Sequence, residues 1–191
     1  MDVANSNCIL LQQLTGTDIG IIAPYAAQVT LLTNIFNSDL TYKKRFIEVL
    51  GEERATHVQQ IEIKTVDGFE GREKEVIIFS TVRNNSAGHI GFLADKKRLN
   101  VGLTRAKRGL FVVGSISTLR AGRGSSNLEG RTTAAIRVGK GADSWRRYAE
   151  YLVKDNLVIS LTGQELYSAL YGHLKAAKGR ANKELLVVGG R

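Results

Sequence analysis

The chain has 191 residues, of which 43% are hydrophobic and 24% charged, and its net charge is +9. This composition excludes an intrinsically disordered chain and fits a globular domain with its own core. The single cysteine excludes an internal disulfide, and no apolar run approaches the roughly 18 residues that a membrane-spanning helix needs. We therefore expect an intracellular protein, cytoplasmic or nuclear, that has no membrane partner.

The positive charge is concentrated in the C-terminal part of the chain. Residues 1–119 carry 14 basic and 12 acidic side chains, whereas residues 120–191 carry 13 basic and 6 acidic ones. Such an excess favours a polyanionic partner such as nucleic acid, although solubility alone explains it equally well.

Apolar patterns of two kinds alternate along residues 1–119, which we expect to form the core of the domain. Their period predicts helices at 5–14, 25–36, 43–50 and 92–106, and strands at 19–24, 61–66, 75–82 and 109–114. Several of these strands are apolar on both faces, as in a parallel sheet that helices cover on both sides. The predicted fold class is therefore α/β.

The composition changes after residue 119. Residues 120–142 are rich in Gly, Ser and Arg and lack a core pattern, so they are predicted to form a basic mobile loop. This loop is either an auxiliary nucleic-acid contact or a plain surface insertion. Residues 143–178 are predicted as helices that complete the domain, with a short strand at 157–160, and residues 179–191 as a flexible tail.

The connection "TVDGFEGREKEV" (65–76) places two glycines among several charged side chains. Glycines let backbone amides approach an anion, and a nearby carboxylate can bind a ribose hydroxyl, although most such turns are only turns. We expect these groups at the carboxyl ends of the strands, where parallel sheets bind ligands. The chain has no phosphate-binding G-x-x-x-x-G-K-[ST] loop, and its three scattered histidines predict no metal site. Its chemistry is therefore expected to assist a site that lies partly elsewhere.

Three segments together resemble motifs IV, V and VI of superfamily 1 helicases, in order and spacing. They are "IGIIAPYAAQ", "IEIKTVDGFEGREKEVIIFSTVRNN" and "GHIGFLADKKRLNVGLTRAKRGLFVVG". The resemblance covers about residues 5–119 and is to the group that contains the nonsense-mediated-decay helicase and the immunoglobulin mu-binding helicase. It implies the second RecA-like lobe of an ATP-dependent helicase of subgroup B, which moves 5′ to 3′ on single-stranded RNA or DNA.

The same resemblance implies a partner and cofactors. ATP with Mg²⁺ would lie between this lobe and the N-terminal RecA-like lobe of the same full-length chain, which carries the phosphate loop and the Mg²⁺ ligands. The isolated chain is therefore predicted to be inactive as an ATPase. The alternative is a helicase-derived module that binds nucleic acid or protein without ATP turnover.

The resemblance also assigns residues to the ATP site. Arg105 of the "TRA" motif would be an arginine finger on the γ-phosphate, which a planar, permanently charged guanidinium suits. Gly71 matches the glycine whose backbone lies near the phosphates, and Glu73 matches the glutamate that binds the ribose. Gln28 matches the motif IV glutamine, or is simply a polar helix residue. Val29 stands where some relatives carry a second phosphate-binding arginine, so a second finger is not expected.

Two of these residues have ordinary structural alternatives. Arg105 could instead be an arginine at the rim of the core, paired with Asp95 or Glu73. Glu73 could be no more than an ion-pair partner for Lys74 or Arg72.

A further set of residues is placed by the resemblance near single-stranded nucleic acid. Their hydroxyls, backbone amides and one arginine suit contacts to the sugar-phosphate backbone that do not depend on base sequence. The set is Pro24, Tyr25, Thr65, Val66, Thr81 and Arg83. Tyr25 could instead pack under the motif IV helix, and the basic run 96–98 is interpreted as a solvated helix face.

Overall fold

The computed structural model describes residues 14–121 and 133–160. Its centre is a four-stranded sheet in the order β2-β1-β3-β4, in which all neighbouring strands are parallel. The strands are β1 (Ile19–Ala23), β2 (Glu62–Thr65), β3 (Lys74–Ser80) and β4 (Ala106–Val113). Strands of this kind form where short apolar runs are interrupted by turn residues, as the sequence predicts.

Helices connect the strands and cover the sheet. They are α1 (Ala26–Ser38), α2 (Leu40–Leu50), α3 (Glu52–His57), α4 (Lys96–Leu103), α5 (Ile116–Ala121) and α6 (Thr133–Lys154). Short 3₁₀ helices lie at Gly16–Asp18, Val58–Gln60, Asp67–Phe69 and Gly91–Ala94. The connection from β1 to β2 moves in one direction along the sheet, and the later connections move in the other. Because parallel crossovers are right-handed, the two sets of connections cover opposite faces of the sheet. The predicted α/β, RecA-like fold is confirmed.

The main hydrophobic core lies between β1, β3 and β4 on one side and α4 and α6 on the other. Phe79 and Trp145 are both fully buried, and their ring centroids are 5.7 Å apart. The indole Nε1 of Trp145 donates to the carbonyl oxygen of Leu93 at 2.8 Å. This bond fixes the 3₁₀ helix Gly91–Ala94 to the long helix α6.

Helix α6 begins at Thr133, inside the segment 120–142 that the sequence analysis assigns to a loop. One of the glycines behind that interpretation, Gly141, is buried in the helix, and a Cβ there would lie 2.0 Å from the carbonyl oxygen of Ala94. Glycine at this position therefore permits close packing and does not mark a loop. The rest of the predicted loop, residues 122–132, lies outside the described residues, as do 161–191 and nearly all of the helix predicted at 5–14.

The strand predicted at 157–160 is not formed. Asn156 adopts a left-handed φ of 55°, and the backbone amide of Leu157 donates to the carbonyl oxygen of Leu152 at 2.9 Å. These are the features of a Schellman motif, in which an apolar residue after the helix packs back onto its last turn. Leu157 and Val158 accordingly pack against the core, which accounts for their apolar character.

Among the described helices, none is both long and apolar enough to cross a bilayer.

Candidate nucleotide and nucleic-acid sites

The residues expected to bind ATP and those expected to bind nucleic acid lie, with one exception, at opposite edges of the sheet. Glu73 and Arg105 immediately precede β3 and β4, and Gly71 lies just before Glu73. We call this edge, where the parallel strands begin, the amino edge. The nucleic-acid candidates lie where β1, β2 and β3 end, and we call that side the carboxyl edge.

This arrangement differs from the expectation that the whole connection 65–76 lies at the carboxyl ends of the strands. Strands β2 and β3 are both parallel to β1, so the chain must return from the end of β2 to the edge where β3 begins. The 3₁₀ helix Asp67–Phe69 makes this return, with Phe69 fully buried against β1. Gly71 and Glu73 are thereby delivered to the amino edge.

Arg105 is partly buried, and its guanidinium forms no ion pair with any described residue. Its Nε donates to the carbonyl oxygen of Val101 at 3.2 Å, and its Nη2 donates to the Thr104 hydroxyl at 2.9 Å. The last turn of α4 therefore holds the side chain while its charge stays uncompensated. The alternative pairing with Asp95 is not formed, because Asp95 caps the N-terminus of α4 and Arg105 lies just beyond its C-terminus.

Glu73 is exposed and also has no ion-pair partner among the described residues. The two cations that flank it in sequence both pair with Glu62, Arg72 at 2.7 Å and Lys74 at 3.2 Å. The amide of Lys74 donates to the carbonyl oxygen of Arg105 at 3.1 Å, which places Glu73 and Arg105 next to each other at the amino edge. An unpaired carboxylate and an unpaired guanidinium thus share this edge.

Gly71 occupies the third position of a type II turn. Glu70 has φ −58° and ψ 131°, Gly71 has φ 73°, and the Arg72 amide donates to the Phe69 carbonyl oxygen at 3.1 Å. No atom lies within 4 Å of the position that a Cβ on Gly71 would take. The backbone conformation therefore favours glycine here, and the space around it is open.

Gln28 is the exception to the separation of the two sets. It lies in the first turn of α1, which follows the carboxyl end of β1, and it is partly buried. The structure therefore does not bring Gln28 beside Arg105, Glu73 and Gly71 within this lobe.

At the carboxyl edge, Tyr25 and Arg83 contact each other directly. Arg83 Nε donates to the Tyr25 hydroxyl at 2.7 Å, and the Arg83 Cζ lies 5.1 Å from the centre of the Tyr25 ring. Arg83 has no carboxylate partner among the described residues, so its charge is available to a phosphate. Pro24 and Thr65 lie at the same edge and are partly buried.

A strained turn presents Arg83 at this edge. The amide of Arg83 donates to the Thr81 carbonyl oxygen at 2.7 Å, which closes a γ-turn around Val82. Val82 has φ 63°, a conformation that a β-branched residue rarely adopts and that costs about 1–3 kcal/mol. Strain of this kind is often found at functional sites.

Two of the six nucleic-acid candidates have side chains that solvent does not reach. Val66 is 3% exposed and belongs to the hydrophobic core. Thr81 is fully buried, and its hydroxyl lies so close to Gly114 that a Cβ on that glycine would be 2.1 Å away. Both follow the last residue of a strand, where the chain turns back over the core. Their side chains therefore support the edge but do not face a ligand.

Asp67, Phe92 and Arg98 form a cluster at the carboxyl edge that the sequence does not predict. Arg98 Nε and Nη2 donate to the two carboxylate oxygens of Asp67 at 3.0 and 2.9 Å, which raises the pKa of Arg98 above its usual range. The Arg98 Cζ lies 4.9 Å from the centre of the Phe92 ring, and that ring meets Tyr25 edge to face at 5.6 Å. No local pattern indicates contacts between residues so far apart in the chain.

Among the described residues, no group of His, Cys, Asp and Glu side chains is placed to hold a metal ion.

Comparisons with known proteins identify a family and several relatives. The family model described as AAA domain matches residues 4–117, which include every candidate residue above. The probable helicase MAGATAMA 3 of Arabidopsis thaliana is 46% identical over 107 residues, which is 56% of this chain and 12% of that protein. The putative ATP-dependent RNA helicase ECM32 of Saccharomyces cerevisiae is 34% identical over 164 residues, 75% of this chain and 13% of that protein.

A third relative is named as a regulator of nonsense transcripts. The regulator of nonsense transcripts 1 homolog of Drosophila melanogaster is 44% identical over 101 residues, which is 53% of this chain and 8% of that protein. The chain thus spans 8 to 13% of the length of these three relatives.

Proposed function

The chain belongs to the AAA domain family, and we propose that it is the second, C-terminal RecA-like lobe of a superfamily 1B helicase that is driven by ATP. Relatives named as helicases support a role as a helicase domain. On this proposal the full-length protein moves 5′ to 3′ on single-stranded RNA or DNA, in the cytoplasm or the nucleus. The observation that carries it is the unpaired guanidinium of Arg105 at the amino edge, beside the exposed Glu73.

The amino edge is suited to one half of an ATP site. The uncompensated charge of Arg105 fits the γ-phosphate, where negative charge develops during phosphoryl transfer. The open turn at Gly71 leaves room for phosphate oxygens near the backbone. The Glu73 carboxylate would repel phosphates, so it fits the ribose end of the nucleotide, where it can accept from a hydroxyl. On this proposal the N-terminal lobe supplies the Mg²⁺ ligands, whereas Gln28 lies at the carboxyl edge, apart from this half-site.

The carboxyl edge is suited to single-stranded nucleic acid. Arg83 supplies a free positive charge, while Tyr25, Pro24 and Thr65 supply a partly exposed surface along the ends of β1 and β2. None of these groups forms a pattern that distinguishes one base from another, so we expect backbone-directed binding without sequence preference.

Strand β3 links the two candidate sites directly. Strand β3 begins immediately after Glu73 and ends immediately before Thr81, in a seven-residue span. ATP binding would draw the two lobes together against Arg105 and hydrolysis would release them, so that the carboxyl edge moves along the nucleic acid. A module that binds without ATP turnover would have no need for an unpaired arginine at the opposite edge.

Steady-state ATPase kinetics on the protein that carries both lobes test this proposal. We expect Arg105→Ala to lower kcat by roughly 10³-fold or more while ATP binding weakens only modestly. Glu73→Ala should instead raise the KM for ATP, because a ribose contact is already made in the ground state. The matched control is Arg108→Ala, which removes the same charge from an exposed position on β4 that pairs with Glu75 at 2.8 Å. A near-normal kcat for Arg105→Ala would contradict the proposal.

A further inference from the structure

Phe92 is an exposed aromatic residue on a rigid element of the carboxyl edge. It is 53% exposed, whereas the next two residues of its 3₁₀ helix, Leu93 and Ala94, are 3% and 0% exposed. We propose that Phe92 stacks against a base of the single-stranded nucleic acid. This inference rests on the proposed function and adds a residue that contacts a base rather than a phosphate.

The exposure of Phe92 does not result from a loose loop. Its helix is fixed from behind by the bond from the Trp145 indole to the Leu93 carbonyl oxygen and by the close approach of Gly141 to Ala94. A ring on a fixed element loses little conformational freedom when a ligand binds, so more of the stacking energy remains as affinity.

The surroundings of the ring combine aromatic and cationic groups. The Arg98 guanidinium lies 4.9 Å from the Phe92 ring centre and is held there by Asp67, while Arg83 lies in the same way over Tyr25. The first two residues of α4, both lysines, are exposed beside this cluster and have no ion pair with any described residue.

Single-stranded nucleic acid is the ligand that this combination fits. Its bases need flat rings to stack on and its phosphates need cations, and proteins that bind single strands without sequence preference supply both. In a duplex the bases are already stacked on each other, so an exposed ring outside the duplex has no free base face to stack on. The structure therefore favours an unpaired strand.

The test is the affinity of the two-lobe protein for a short fluorescent oligo(dT) strand. We expect Phe92→Leu, which keeps apolar bulk but removes the ring, to weaken binding by roughly 5- to 100-fold. Phe92→Trp should restore binding, and the fluorescence of the introduced indole should be quenched when the strand binds. Because no phosphate contact is removed, the slope of log K against log salt should not change for Phe92→Leu. Tyr151→Leu is the matched control, since Tyr151 is 52% exposed on α6.

A second variant keeps the failure of this inference apart from failure of the proposed function. Arg83→Ala should weaken binding and flatten the salt slope by roughly one unit, as expected for the loss of one phosphate contact. If Arg83→Ala weakens binding and Phe92→Leu does not, the stacking role is wrong while the carboxyl edge stands. If neither variant changes the affinity, the carboxyl edge does not bind the strand, and both claims are overturned.

Discussion

Replacing Gly71 by alanine and by asparagine separates the backbone role of this residue from its proposed role beside the phosphates. Because no atom lies within 4 Å of the added Cβ, the cost of alanine comes only from the left-handed φ of 73°. That conformation costs a residue with a Cβ about 1–2 kcal/mol, so we expect Gly71→Ala to lower the free energy of unfolding by about 1 kcal/mol. Asparagine tolerates this conformation, so Gly71→Asn should cost less than Gly71→Ala.

Gly20 provides the control, because glycine is needed there for a different reason. A Cβ on Gly20, in β1, would lie 2.5 Å from the Phe69 ring, so any side chain overpacks the core at about 1–3 kcal/mol or more. The larger asparagine should therefore be worse than alanine at Gly20, which reverses the order expected at Gly71.

Urea unfolding followed by the fluorescence of Trp145, the only tryptophan, measures both series. Equal losses for alanine and asparagine at Gly71 would refute the type II turn as the reason for glycine. The Gly71→Asn protein, which should keep the turn at the smaller cost in stability, then tests the role of Gly71 in ATP binding. If the backbone of Gly71 lies near the phosphates, this variant raises the KM for ATP, and an unchanged KM would make Gly71 a turn residue only.

Three further predictions concern the packing around the site. Burial raises the pKa of Tyr148 to about 12, so the folded state favours the neutral phenol. This contribution to the free energy of unfolding is complete below pH 10 and is lost as the pH rises towards 12. Tyr148→Phe should therefore remove the fall in thermal stability between pH 10 and 12 in a pH series of thermal melts. Trp145→Phe should lower the free energy of unfolding by about 1–3 kcal/mol in urea titrations followed by circular dichroism, since it leaves the buried Leu93 carbonyl without its donor. Asp67→Asn should release Arg98 and tighten binding of oligo(dT), with a steeper salt dependence; unchanged affinity would mean that this arginine does not contact the strand.

Much of the sheet could be predicted from the sequence because its strands are short apolar runs with clear ends. The strand predicted at 19–24 is observed as Ile19–Ala23, and the one predicted at 75–82 as Lys74–Ser80. The helix predicted at 92–106 was too long at both ends. Asp95 caps α4 and so divides the segment, and Thr104 ends it, which leaves Arg105 outside the helix at the start of β4.

The glycine-rich segment shows where local reasoning fails. Gly141 is predicted to lie in a loop because glycine is unfavourable inside helices. In the structure it lies in α6, where any larger residue would clash with the Ala94 carbonyl oxygen. Likewise, the residues 157–160 have strand-like composition, although Leu157 serves to end α6. In both cases tertiary packing overrides a local preference.

Candidate site residues could be named from the sequence, but their arrangement could not, because it depends on contacts between distant parts of the chain. The resemblance names Arg105 and Glu73 as members of two separate motifs, yet only the parallel topology shows that they share an edge opposite Arg83. The cluster around Phe92 depends on contacts between Asp67 and Arg98, 31 residues apart, and no spacing rule predicts such a pair.

The most direct test of the central claim is the affinity of the two-lobe protein for a transition-state analogue, ADP with aluminium fluoride, compared with ADP alone. An arginine finger acts on charge that is present in the transition state, so Arg105→Ala should weaken analogue binding by at least roughly 100-fold while the Kd for ADP changes by less than about threefold. Equal changes in the two affinities, or no change in either, would contradict the assignment of Arg105 to the γ-phosphate.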